Sequence, residues 1–186
     1  MKLRCASISL FLPLITLTIV QAGDTKPFQG RTHIIPGLIE AEHWDEGAAG
    51  VAYSDVDPEN KGEAYREATE VDIEKRSDAS NGHGIGWTKA GEWLIYTVEV
   101  KESGTYCIEM PVASKKKGGE FMIEFNGKDV TGEISVPDTG AWTKLEMLTH
   151  KDVKLEAGTY QMKVTMLREG PSTSIADIDY FKFVKQ

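Results

Sequence analysis

The segment Trp93–Val100 reads WLIYTVEV and divides by parity, with Trp93, Ile95, Thr97 and Glu99 on one side and Leu94, Tyr96, Val98 and Val100 on the other. Successive side chains of extended backbone point to opposite faces. A period of two in β-branched and aromatic residues therefore predicts a half-buried strand. Similar runs recur at Thr105–Val112, Glu120–Asn126, Gly132–Val136, Trp142–Leu148, Val153–Leu155, Thr159–Leu167 and Ile178–Val184. Leu38–Trp44 and Val71–Lys75 add two more near the amino-terminal side. Gly, Pro, Asp or Asn bounds each run, with Gly127, Gly140, Gly158 and Gly170 in the gaps. About nine or ten short strands with frequent turn signals, and no convincing helical period, predict an all-β sandwich. No fixed-period repeat is visible, which counts against a propeller or solenoid.

The amino terminus has its own signature. Lys2 and Arg4 precede an apolar run from Leu10 to Val20, which ends in Val20-Gln21-Ala22 before the polar Gly23-Asp24. A basic end, a short apolar core and small residues predict a secretory signal peptide over 1–22, cleaved near Ala22. The run is too short for a comfortable membrane span. The remainder of the chain is a normal size for one domain, with a polar lead-in over 23–34 and the body over 35–186. The chain carries 29 acidic against 21 basic residues, a formal net charge of −8. Both basic residues of the leader would be lost on cleavage, leaving the rest more acidic still. An acidic exported domain is a poor partner for nucleic acid or an anionic membrane. Cys5 would leave with the leader, so Cys107 is expected as a free thiol without a disulfide partner.

Several residues could carry chemistry. Gly82, Gly84 and Gly86 lead into Trp87, leaving the chain free of side chains around one ring. Trp142 follows the turn-like Pro137-Asp138-Thr139-Gly140. An indole at a loop tip is costly unless covered or used, and two facing rings could grip the apolar C–H face of a sugar. The competing reading is a pair of half-buried edge tryptophans. Glu40, Glu42 and Asp179 have no basic partner nearby in sequence. They could share a hard cation such as calcium if the first and last strands are neighbours, or form a solvated acidic edge. The loop Gly47–Arg66 is longer than about 12–15 residues, and loops of that length usually either carry function or are disordered. Zinc-ligand spacing, a nucleophile elbow and a phosphate loop are all absent from the sequence.

Taken in order, IPGLIEAEHWDEG, VDIEKRSDASNGHGIGWTKAGEWLIYTVEV, GTY, PVAS, ISVPDTGAW, AGTY and DIDYFKF resemble the motifs of carbohydrate-binding module family 6. The resemblance spans about Ile35 to Phe183. It implies a β-jelly-roll of two packed antiparallel sheets without catalytic activity, of the type joined to agarases and β-glucanases. It further implies that Trp87 and Trp142 sandwich a sugar and that Glu74, thirteen residues before Trp87, lines the same cleft. Asp177 stands where the family usually has a sugar-bonding asparagine, and Gly84 where it often has another. An ionised aspartate only accepts hydrogen bonds, whereas an asparagine also donates. Glu40, Glu42 and Asp179 correspond to the family's structural calcium ligands, and Trp93 to the aromatic of a second cleft that some members use.

The leading expectation is thus a secreted, non-catalytic module that binds a polysaccharide or oligosaccharide, a β-linked glycan such as agarose, laminarin or xylan. A separate glycoside hydrolase is its expected working partner. The alternatives are a small jelly-roll glycoside hydrolase or lyase and an adhesion domain whose sugar site has decayed.

Overall fold

The computed structural model of the chain describes residues 24–62 and 65–186, so the expected leader over 1–22 lies outside the described residues. Among the described residues there are fourteen strands: β1 (His33–Ile35), β2 (Gly37–Glu40), β3 (Tyr53–Ser54), β4 (Ile73–Lys75), β5 (His83–Ile85), β6 (Trp93–Val100) and β7 (Gly104–Ala113), then β8 (Glu120–Phe125), β9 (Lys128–Asp129), β10 (Ile134–Ser135), β11 (Glu146–Leu155), β12 (Gly158–Arg168), β13 (Asp177–Ile178) and β14 (Tyr180–Lys185). The one helical element among the described residues is a 3-10 turn at Phe28–Gly30.

The strands form two seven-stranded sheets. One runs β1-β6-β12-β8-β10, with β3 also on β6 and β9 on β8; the other runs β2-β14-β7-β13-β5-β4, with β11 also on β7. Every pairing is antiparallel except β1 with β6. This is the expected all-β jelly-roll sandwich, and the core is what the alternation requires. Leu94, Tyr96, Val98 and Val100 of β6 are buried opposite Tyr106, Ile108, Met110 and Val112 of β7. Phe121 and Ile123 of β8, Met162 and Val164 of β12, and Phe181 and Phe183 of β14 fill the same layer.

Three local expectations are corrected. The strand expected over Leu38–Trp44 stops at Glu40, and the chain turns there to bury Glu42 and Trp44 completely. Trp142 precedes a strand instead of starting one. The expected runs Trp142–Leu148 and Val153–Leu155 merge into the long β11, held by β7 across a register shift between His150 and Val153. Asp152 takes a left-handed φ of 62° inside that shift, which absorbs the irregularity. The expected last strand is split between β13 and β14 at Asp179, which turns its carboxylate toward Ser80.

The lead-in joins the body. His33–Ile35 pairs with Val98–Val100, and the Phe28 ring stacks on His43 at 4.3 Å. Arg66, at the end of the long loop, lies 3.8 Å over the Trp44 ring and donates to the carbonyls of Glu42, Trp44 and Asp45. Cys107 is a free thiol, half-buried on the outward side of β7. Cys107→Ser should shift stability by no more than about 0.5 kcal/mol, as for surface positions without a special contact. Chemical denaturation of the two proteins checks this, and a large loss of stability would mean the thiol packs into the core.

Candidate functional site

The aromatic platform at Trp87 begins with its backbone. Gly86 N donates to the Asp72 carbonyl at 3.0 Å, which fixes the chain on one side of the ring. On the other side Thr88 is buried and stapled to the segment before β13. Its hydroxyl donates to the Ala176 carbonyl at 2.6 Å and accepts from Ala176 N at 3.0 Å. Its carbonyl accepts from Ser174 Oγ and Ile175 N, each at 2.9 Å. Held between these anchors, Trp87 adopts φ 49°, a conformation that bulky residues rarely take. The result is an indole 41 % exposed at the edge of the sandwich.

The preceding glycines leave room for the protein's own groups. A Cβ on Gly86 would lie 3.1 Å from Asp177 Oδ1, and one on Gly84 would lie 3.1 Å from the Ile178 carbonyl oxygen and 3.2 Å from Arg76 Cδ. Small residues here let the Asp177 and Arg76 side chains press against the β5 backbone below the ring.

Trp142 is mounted on the loop between β10 and β11. Thr139 fixes that loop to Ser114 by donating its N–H to the carbonyl at 3.0 Å and accepting Ser114 N at 3.0 Å. Gly140 supplies the left-handed φ of 86° that the turn before Ala141 requires. Trp87 and Trp142 then line one cleft of about 310 Å³ together with Glu74, Lys89, Ser172, Thr173, Ser174 and Asp177. All four sugar-contacting residues expected from the sequence thus meet in one place. Its size lies at the small end of ligand pockets, which run about 300–1,000 Å³.

The cleft floor is organised by a residue the sequence did not single out. Arg76, 6 % exposed, donates through Nη1 to Glu74 and to Asp177 Oδ2, the latter at 2.9 Å. Its Nε and Nη2 grip Asp78 at 3.1 and 3.0 Å, and Nη2 also reaches the Trp142 carbonyl at 2.9 Å. Burial opposes the guanidinium charge, but the bonds to Asp78 and Glu74 outweigh it and hold the pKa above its ordinary value. Asp177 is pushed up to about 8, by burial first and by the neighbouring Glu74 charge second, against the pull of Arg76.

Trp93 lies on the other sheet. Its ring faces outward from β6, and Lys163 Nζ sits 4.6 Å from the ring centroid, so the face is already covered by a cation. A ligand stacking there would have to displace Lys163.

Glu40, Glu42 and Asp179 do come together, because β2 pairs with β14 and Ala41 N donates to the Asp179 carbonyl at 2.9 Å. Ser80 Oγ bridges Glu40 Oε2 at 2.7 Å and Asp179 Oδ1 at 3.0 Å, and Asn81 donates to Glu42 Oε1. Glu42 is fully buried, and its Oε2 has no hydrogen-bond partner. No lysine or arginine side chain forms an ion pair with any of the three among the described residues. Glu40 is raised to about 7, by burial first and by Glu42 and Asp179 besides, against the Ser80 hydrogen bond. Glu42 and Asp179 are raised mainly by burial. Among the described residues, no group of three or more His, Cys, Asp or Glu is arranged as a ready cage for a metal. The orphaned oxygen and the uncompensated carboxylates nonetheless suit a hard cation that draws them together.

Comparison with known proteins identifies the family. The family model described as carbohydrate binding module (family 6) matches residues 61–185. The α subunit of clotting factor G from Tachypleus tridentatus is 33 % identical over 108 residues, 57 % of this chain. The match spans only 16 % of that relative's length. Among solved structures, the C-terminal family 6 module of LamC, a marine laminarinase from Zobellia galactanivorans, superposes with a TM-score of 0.60 at 28 % identity. That match covers 80 % of this chain and 98 % of the module. The second module of this family from Cellvibrio mixtus lichenase 5A, solved with cellotriose, gives 0.58 at 25 % identity and covers 81 % of this chain and 98 % of that one.

Proposed function

Because the chain belongs to carbohydrate-binding module family 6, we propose that the cleft between Trp87 and Trp142 holds a sugar residue of a β-linked glycan without cleaving it. The observation that carries this reading is the convergence of two loop-borne indoles and two carboxyl groups on one cleft. The indoles offer flat, electron-rich faces to the axial C–H groups of a sugar ring. Glu74 and Asp177, rooted on Arg76, offer hydrogen bonds to the hydroxyls at its edge. Stacking supplies contact area and the carboxyls supply orientation. Two of the similar proteins are modules of a laminarinase and a lichenase, which supports a β-glucan as ligand and a polysaccharide-degrading enzyme as working partner.

A hydrolase would use two carboxyl groups flanking the scissile bond. Here Glu74 and Asp177 share one nitrogen of Arg76, so they lie on the same wall of the cleft. That geometry favours holding over cutting.

Two further parts of the reading rest on other residues. Glu40, Glu42 and Asp179 would ligate a structural calcium ion, with Glu42 Oε2 as the oxygen that now lacks a partner. The ion would tie the start of β14 to the end of β2 and stabilise the fold. The leader-like residues 1–22 support export.

Affinity electrophoresis of the protein lacking residues 1–22 tests the ligand, on gels containing laminarin, lichenan, xylan or agarose. We expect retardation on the β-glucan gels, with no reducing sugar released on prolonged incubation. Free migration on every gel would overturn glycan binding, and release of reducing sugar would favour the hydrolase.

A further inference from the structure

Three segments of the chain meet at one guanidinium. Arg76 leaves the end of β4 and reaches Glu74 on that strand, Asp177 on β13, Asp78 in the following turn and the Trp142 carbonyl in the β10–β11 loop. Asp78 extends the same link, because its Oδ2 accepts from Leu145 N at 3.1 Å as well as from Arg76 Nη2 at 3.0 Å. The loop carrying Trp142 is therefore pinned at two points, the Trp142 carbonyl and Leu145 N, by one Arg–Asp pair. Neither Arg76 nor Asp78 lines the cleft.

We infer that Arg76 and Asp78 are positioning residues which fix the Trp142 platform relative to Trp87 and aim the Glu74 and Asp177 carboxyls into the cleft. The inference rests on reading the cleft as the sugar site, but its mechanical half stands without a ligand. Only a planar fork can satisfy these partners together. Arginine presents five N–H donors in fixed geometry, whereas a lysine ammonium is a point charge on a flexible stem. Replacing Arg76 by lysine keeps the positive charge and breaks the fork. A role limited to neutralising Glu74 and Asp177 would survive that change, and a positioning role would not.

The test uses two readouts. In a Trp87→Phe, Trp93→Phe background, Trp142 and the fully buried Trp44 are the remaining indoles, so acrylamide quenching reports Trp142 without any ligand. Arg76→Lys and Asp78→Asn should each raise the quenching constant above that of the background protein. In the chain with all its tryptophans intact, the same two substitutions should weaken laminarin binding by roughly tenfold or more, as expected when charge-assisted hydrogen bonds to the supporting groups are lost. Asp78→Asn keeps the test decisive if Arg76→Lys does not fold, since Asp78 is partly exposed. Unchanged quenching in the variants overturns the inference, whether or not any glycan binds. Raised quenching with unchanged laminarin affinity overturns its functional half. Wild-type protein that binds no glycan, with quenching raised in the variants, overturns the sugar reading and leaves the positioning role standing.

Discussion

Trp87→Ala and Trp142→Ala are each expected to abolish retention of the protein on a β-glucan gel while leaving it folded. Stacking of a flat ring on an aromatic side chain contributes about 1–3 kcal/mol per ring, by analogy with bases on aromatic platforms. Every ~1.4 kcal/mol is tenfold in affinity, so a weak glycan complex that loses one platform falls below detection. The fold should tolerate the changes. Trp87 is 41 % exposed and Trp142 is half-buried in a loop, so neither truncation opens a hole in the core. Far-ultraviolet circular dichroism and the melting temperature check the fold, and gel retardation checks binding. Glu74→Gln should weaken binding less than either tryptophan loss, because water partly replaces one hydrogen bond but not a platform. Trp93→Phe should leave retention unchanged, with Lys163 already covering that ring. Normal binding by both loop variants, together with loss in Trp93→Phe, would move the site to the other sheet.

With Glu40, Glu42 and Asp179 as the proposed calcium ligands, removing the ion is expected to have the second-largest effect. An ion bound only by the native state stabilises it by about 2.7 kcal/mol at a hundredfold excess over its dissociation constant. For a domain of this size that is roughly 5–10 °C in melting temperature. Chelator should therefore lower the melting temperature by about that much, and added calcium should restore it. The effect should also depend on pH. Without the ion, burial raises Glu40 from its ordinary 4.5 to about 7, so the folded chain holds a proton that the unfolded chain releases between those values. Stability of the ion-free protein then falls as pH climbs from 4.5 through about 7. Calcium needs the carboxylates ionised, so its benefit should be larger at pH 8 than at pH 5. Equal melting curves with chelator and with calcium at pH 8, and no metal by elemental analysis, would remove the ion from the account.

Much of the sandwich was legible because strand pattern is local. The alternation of Trp93–Val100 and Thr105–Val112 assigns each side chain to a face without knowledge of the partner strand, and the buried positions follow that parity except at Pro111, which is buried as well. The cleft residues were legible by a different route, through the order of motifs shared with a family. Spacing alone left Trp87 and Trp142 as either platforms or ordinary edge residues. Where the sequence misled, long-range pairing decided the local conformation. Leu38–Trp44 alternates well enough for a strand, yet the chain turns after Glu40, and Glu42 and Trp44 are buried out of that register. Val153–Leu155 looks like a separate element, yet β7 supplies hydrogen bonds along a ladder that continues past Lys151.

By itself the sequence determined the all-β class and the inward faces of the long strands, since each follows from a period of two and its punctuation. Only the tertiary structure decided what Arg76 does. Within Ile73–Asp78 it reads as one more charge in an acidic and basic run, which predicts a solvated face. Two of its partners, Trp142 and Asp177, lie 66 and 101 residues away along the chain. A buried charge is tolerated only where fixed acceptors replace its water, and no local pattern shows where those acceptors will stand. The same reason applies to Glu42 Oε2, whose missing partner becomes visible only once β2 and β14 are side by side.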